Sequence, residues 1–421
     1  MSHIMPFLTK TARHALSRAA LLAGLTVPAL AADWPQWLGP QRDGLTAETG
    51  LLQAWPEGGP PRVWLFRNTG LGYAGPAVVG QRLYLMGSRN GVEQLLCLDA
   101  ASGEEQWATD LGSEYENGWG NGPRGTPTID GDRIYVLAAK GNLVCLELST
   151  GKIVWKTSLT DLGGEIPTWG YSESPLIDGE KLLITPGGDQ GAIAALDKQT
   201  GTVLWRTKPL DDVAHYSSLV IARPHGKKQY VQLLVSRLVG IDPESGGVLW
   251  QEPWEGRVAV IPTPVVSENK IYVTSGYGTG CLQVEIDHAG AAQRVYENKL
   301  MKNHHGGVLL VGDHLYGHSD SVGWLCQDFV SGERVWRERS ALGKGAIAYA
   351  DGRFICLSED TGEVVLIEAS PEGWNEKGRF TLTPQTELRK PKGKIWTHPV
   401  IADGKLYLRD QELLFCFDLQ R

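Results

Sequence analysis

Short apolar runs, such as those at 95–98, 143–146 and 192–196, alternate along the chain with turn-forming stretches of Asp, Ser, Thr and Gly. After these runs the same phrase recurs: an acidic residue, three residues, a glycine, three residues, a tryptophan. It reads Asp99-Gly103-Trp107, Glu147-Gly151-Trp155, Asp197-Gly201-Trp205, Asp242-Gly246-Trp250 and Asp328-Gly332-Trp336, and a copy around Asp287 and Gly290 lacks the tryptophan. The acidic side chain can accept from backbone N–H groups just ahead of it, and glycine supplies a positive φ. The phrase therefore predicts a hairpin, with the Trp ring covering the neighbouring repeat.

A second hairpin precedes each phrase. It begins at Pro76, Pro127, Pro175, Pro264, Val308, Ile347 and Pro399, with a looser copy from Ser217 to Leu234. Two hairpins per unit, repeated eight times, predict an all-β, eight-bladed β-propeller of four-stranded blades. The last unit reaches Asp418 without its Trp strand, whereas 62–66 carries Trp64 one repeat upstream of Trp107. The N-terminal strand is thus expected to complete the C-terminal blade and leave no open edge. Trp64, Trp107, Trp155, Trp205, Trp250 and Trp336 are assigned a structural role between blades, because stacked repeats need such faces.

The repeat overrides the two or three domains that a length of 421 residues suggests. The expected layout is a signal peptide at 1–31, an extended arm at 32–60 and a single propeller over 61–421. Lys10, Arg13 and Arg18, the apolar stretch 19–30 and Ala29-Leu30-Ala31 have the order of a secretory signal, too short to span a membrane comfortably. This points to an exported, periplasmic or extracellular monomer, and no cysteine follows the cleavage site to carry a lipid. A net charge of −8 with no basic stripe argues against a nucleic-acid partner. The six cysteines fall in strand positions without a Cys-x-x-Cys, which reads as small buried apolar residues, with a bridge such as Cys326–Cys356 as the alternative.

The repeat phrase, the eight units and the opening Asp33-Trp34-Pro35-Gln36-Trp37-Leu38-Gly39-Pro40-Gln41-Arg42-Asp43-Gly44 together resemble the PQQ-like β-propeller repeat proteins. That group includes the quinoprotein alcohol dehydrogenases and the non-catalytic outer-membrane assembly scaffold of the same fold. The resemblance implies the fold; for function it implies either a pyrroloquinoline quinone (PQQ) enzyme, with calcium, or a scaffold. The chain lacks the adjacent cysteine pair on which such dehydrogenases stack the quinone, and also the scaffold's lipidated cysteine.

Innermost propeller strands line the central channel, so the residues entering them are the place for chemistry. Eleven positions before the registered strand residues stand Tyr73, Arg124, Ser172, Ile261, His305, Lys344 and Trp396, with His215 and Tyr216 in the irregular fourth unit and Glu173 and His398 adjacent. Arg124 and Lys344 suit a small anionic or hydroxyl-rich ligand, including a tricarboxylate such as PQQ. The bland alternative is a wet channel with no ligand. Glu173 and His305 are the candidate catalytic base or acid; Glu165 has no partner at defined spacing. No metal site is expected. His304 and His305, as strand neighbours, should face opposite ways, while His314 and His318 add no compact ligand spacing. Tyr115, Trp119, Trp169 and Trp254 on the long inter-blade connections suggest a loop face for a protein or sugar. The favoured reading is a binding module acting through that face and the channel mouth. The alternative is a PQQ-dependent oxidoreductase of alcohol or sugar dehydrogenase type.

Overall fold

The computed structural model of the chain describes Met1 and residues 33–421. The signal-like segment therefore lies, beyond Met1, outside the described residues. Eight four-stranded antiparallel sheets follow one another around a ring. They span 77–113, 128–158, 176–206, 220–253, 265–298, 308–338, 345–381 and 400–418, the last completed by Arg62–Phe66. That closing strand pairs Trp64 with Cys416 and Phe66 with Leu414. First and last residues of the propeller thus share one sheet, and the ring has no open edge.

The repeat phrase forms the tip between the third and outermost strands. The Asp99 carboxylate accepts from the backbone N–H groups of Ala101 and Ser102 and from the Ser102 hydroxyl, at 3.0–3.2 Å. Asp242 and Asp328 repeat the pattern. These donors hold all three carboxyls below the usual carboxylate range. The glycine N–H then bonds back to the acidic residue's carbonyl at 2.8–3.0 Å, with φ between +70° and +75°.

Each such glycine is also a seat for an aromatic ring from the preceding blade. A Cβ added at Gly103 would lie 2.7 Å from Trp64, and one at Gly201 2.7 Å from Trp155. Trp107 and Trp205 sit in the same way on Gly151 and Gly246. Several indoles also donate across the seam: Trp64 to the Ala100 carbonyl (3.0 Å), Trp155 to Lys198 (2.9 Å) and Trp336 to Ser370 (3.1 Å). Where the phrase has lost its tryptophan, Tyr296 takes the seat on Gly332. Trp250 departs from the expected role. It turns into its own blade, where its indole donates to Gln229 and packs in the core against Gly240, and the next tip glycine, Gly290, has nothing within 4 Å.

Four of the six cysteines are explained by the same rings. Cys97 pairs across its strands with Tyr84 on one side and Trp107 on the other. Cys145, Cys326 and Cys416 repeat the row, with the two flanking rings 5.9–6.2 Å apart. A small side chain lets both rings close over it. All six cysteines are buried and unpaired, so the Cys326–Cys356 bridge does not form.

The seam generates a prediction. Gly201→Ala forces a left-handed alanine and drives Trp155 off its seat, and should cost about 2–3 kcal/mol in denaturant unfolding. Gly290→Ala, also at positive φ but with open space around it, should cost only about 1 kcal/mol. Equal losses would mean that the ring contact adds nothing.

Candidate functional site

The seven positions taken from the register converge. Tyr73, Arg124, Ser172, Ile261, His305, Lys344 and Trp396 all line a single cavity of about 400 Å³ at the end of the channel where the innermost strands begin, together with Tyr216 and His398. The cavity has a floor. Residues 33–48 run across the channel from blade to blade, exchanging backbone bonds with Val78, bridging Leu45 to Tyr349 and reaching Gly404 through Glu48. Arg42 anchors this arm, with its buried guanidinium donating to the carbonyls of Leu219 (2.8 Å), Ser174 (3.1 Å) and Pro175. Trp37 and Leu38 then face the cavity, and the Trp37 indole donates to Thr263 at 2.9 Å while its ring lies 4.8 Å from His398.

The wall is cationic and aromatic. Arg124 is held between Tyr73 (5.6 Å) and Tyr115 (4.9 Å), with donors turned to the carbonyls of Gly120 and Gly122. Burial pulls its pKa down, but the side chain remains a cation. Lys344 donates to Asp320 (2.8 Å) and to His304 Nδ1 (2.6 Å). Lys392 lies 5.4 Å above Trp119, and Lys394 pairs with Asp360.

His304 and His305 correct the strand-alternation expectation. They lie in the bend before the strand Val308–Val311, their rings 3.8 Å apart, and both line the cavity. His305 stacks on Trp396 at 4.7 Å. Burial first, and then the Lys344 charge, pushes His304 down to about 4. His305 is held well below the ordinary imidazole range by burial first, then by its neighbours. Both rings are therefore neutral at pH 7, as is His398, which is pushed to about 4 by burial and donates from Nε2 to the His305 carbonyl (2.6 Å). Among the described residues no group of three or more His, Cys, Asp or Glu could hold a metal ion.

Other candidates stand elsewhere. Ser172 lines the cavity, whereas its neighbour Glu173 is buried among the blades, both just ahead of the strand Leu176–Asp178. There the Glu173 carboxylate accepts from Thr185 N–H (2.7 Å) and hydroxyl (3.2 Å) and from Leu219 N–H (3.4 Å). His215 Nδ1 accepts from Val260 N–H at 3.2 Å, and it is Tyr216 that reaches the cavity, beside Trp169. Glu165 is exposed. Trp254 is buried in the core rather than displayed on the loop face, whereas Trp119 is 42% exposed at the mouth.

The register missed Tyr277, Asp320 and Glu359. Each follows the last residue or two of a second strand: Lys270–Ser275, His314–Ser319 and Arg353–Ser358. Residues leaving those strands return to the same face as residues entering the innermost ones, a signal that the repeat contains. Glu359 is the wall's one carboxylic acid, pushed up to about 7 by burial, with an oxygen 3.9 Å from His305 Nδ1.

The fold and site define an eight-bladed propeller with a plugged channel and a blind, cation-bearing cavity. A family model described as outer membrane protein assembly factor BamB matches residues 56–140 and 92–338, well over half the chain. The chain belongs to that family of PQQ-like propeller repeats. It is 24% identical to outer membrane protein assembly factor BamB of Burkholderia pseudomallei over 360 residues, 80% of this chain and 81% of that protein. Against the protein of the same name from Shewanella oneidensis it is 28% identical over 160 residues, 36% of this chain and 34% of that one. That match spans about a third of the relative's length. The quinohemoprotein alcohol dehydrogenase of Comamonas testosteroni superposes with a TM-score of 0.60 at 13% identity, over 92% of this chain and 80% of that structure, a likeness of fold.

Glu173 yields a pH prediction. Burial raises its pKa from 4.5 to about 7, against the pull of its hydrogen bonds and of Arg42. Between those values the folded chain keeps a proton that the unfolded chain has released, so the group's contribution is full below 4.5 and is lost as pH rises through 7. Relative to wild type, Glu173→Gln should therefore gain on the order of 3 kcal/mol on going from pH 4.5 to 7.5, read from denaturant unfolding at each pH. A pH-independent difference would show an ordinary carboxylate.

Proposed function

We propose that the chain is a binding propeller whose blind cavity takes a small anionic ligand carrying a ring, entering from the loop face. The observation that carries this is the composition of the wall. In a chain of net charge −8, the lining side chains include Arg124, Lys344, Lys392 and Lys394 against Glu359, with Asp320 and Asp360 outside the lining pairing to Lys344 and Lys394, and they are interleaved with Tyr73, Trp119, Trp169 and Trp396. Cations answer an anion, and aromatic faces answer a ring. The signal-like N-terminus and the outer membrane protein assembly factors among the relatives support an exported setting.

A PQQ–calcium pair fits less well. Arg124 is turned to Gly120 and Gly122, Lys344 is engaged by Asp320 and His304, and the described residues offer no grouping of three ligands for the cation. Protein docking on the same face has one observation in its favour: Trp119, Ile166, Val258 and Leu388 are exposed on the inter-blade connections.

Benzene-1,3,5-tricarboxylate is a suitable probe, because Trp119, Trp169 and Trp396 report on the cavity through fluorescence. Saturable quenching should appear, weaken with salt, and weaken about fivefold in a Lys392→Ala/Lys394→Ala variant. If neither this probe nor a ring monocarboxylate such as cyclohexanecarboxylate quenches saturably, the anion-binding reading is removed. Calcium-dependent PQQ binding with dye-linked alcohol oxidation, lost in Arg124→Ala, would put the oxidoreductase reading in its place.

A further inference from the structure

The cavity wall holds more hydrogen-bonding capacity than its cations account for. Four lining residues carry a buried nitrogen with no partner: His304 Nε2, His305 Nδ1, His398 Nδ1 and Trp396 Nε1. Their polarity is mixed. His304 accepts the Lys344 ammonium at Nδ1, so its Nε2 carries the proton and donates. Trp396 Nε1 also donates. His398 donates from Nε2 to the His305 carbonyl, so its neutral ring keeps Nδ1 as an acceptor. Glu359 adds carboxyl oxygens on the same wall.

A buried polar atom left unpaired is costly, so the ligand that fits is the one that pairs both kinds. A carboxylate only accepts. A planar aromatic polycarboxylate would serve Trp396 and His304 but leave His398 Nδ1 unmatched and set its charge against Glu359. A hydroxyl both donates and accepts, and serves every member of the set. The aromatic surfaces agree with this. Trp396 is inclined to Tyr73 (46°, 5.0 Å) and to Trp119 (38°, 6.4 Å), so the rings make an open angle rather than a parallel slot for a flat conjugated system. An angled platform suits the C–H face of a puckered ring. Lys392, 5.4 Å above Trp119, and Lys394 place positive charge next to that platform.

We infer that the ligand is a hexuronate, a sugar acid ring whose hydroxyls meet Glu359, His304, His398 and Trp396 and whose carboxylate meets Lys392 and Lys394. The inference rests on the anion-and-ring reading above and narrows it to one chemical class.

Calorimetric titration of the full chain separates the two. The probes are D-glucuronate, D-galacturonate, their neutral parents D-glucose and D-galactose, and benzene-1,3,5-tricarboxylate. At least one uronate should bind, at least about tenfold more tightly than its neutral hexose. The Lys392→Ala/Lys394→Ala variant should erase that difference. Glu359→Ala should weaken the uronate about tenfold or more yet leave the tricarboxylate as tight or tighter, which also shows that the variant is folded. If the tricarboxylate binds and neither uronate does, the hexuronate inference is overturned and the anion cavity stands. Equal affinity for uronate and hexose, or a uronate affinity untouched by Glu359→Ala, likewise overturns it. If no probe binds, both readings fall.

Discussion

An aromatic ring resting on a glycine of the next blade is the contact on which the rest of this molecule depends. A four-stranded blade has two faces and an outer edge, and cannot bury its own apolar surface alone. Seating Trp64 on Gly103, Trp107 on Gly151, Trp155 on Gly201, Trp205 on Gly246 and Tyr296 on Gly332 fixes how far one blade is rotated from the next at those five junctions. The glycine meets two demands at once: it is left-handed, and it has no Cβ where the ring must lie. One further strand, Arg62–Phe66, closes the ring of blades by lending Trp64 to the C-terminal blade. Because every blade keeps the same attitude, every innermost strand starts at the same end of the channel. That convergence brings residues as distant in sequence as Tyr73 and Trp396 within 5.0 Å of one another.

The site arises where the repeat stops repeating. Positions entering the innermost strands carry Arg, His, Lys, Ser and aromatic residues in place of one conserved type, so the ring of equivalent positions becomes a set of unlike groups around one cavity. The arm converts an open channel into a closed pocket. Arg42 is an unusual anchor for it, a buried cation whose donors are taken up by three backbone carbonyls and the Gln36 side chain. Burial lowers its pKa only to about 10, so it stays charged at neutral pH. That charge, with four backbone and side-chain donors, is what Glu173 has in compensation for its own burial. The pair thus belongs to the plug and the blade beneath it, not to the chemistry of the cavity.

The comparisons agree with this division between frame and site. The frame is shared with proteins named as an outer-membrane assembly factor and as a quinohemoprotein alcohol dehydrogenase, two very different activities on one architecture. On such a frame, side chains at the channel mouth and the arm that closes the channel can differ without disturbing the seams.

Sequence alone determined the blade count, the hairpin tips, the ring closure and seven of the positions that line the cavity, because all of these follow from a periodic phrase and a fixed register. It did not determine what those side chains do there. Glu173 and Ser172 are neighbours in sequence, yet ahead of the strand Leu176–Asp178 one is buried among the blades and the other lines the cavity. Strand alternation predicts opposite directions for His304 and His305, but both lie before the strand Val308–Val311, where a bend brings the rings together. Trp250 carries the phrase and still turns inward, because Gln229 and Gly240 offer it a place in its own blade. Glu359 was legible only to a register counted from strand ends as well as strand starts. The floor formed by Trp37, the neutral histidines and the raised pKa of Glu359 come from burial, which sums contributions of segments hundreds of residues apart. A local pattern fixes local backbone; the dielectric surroundings and hydrogen-bond partners of a side chain exist only once the ring has closed around it.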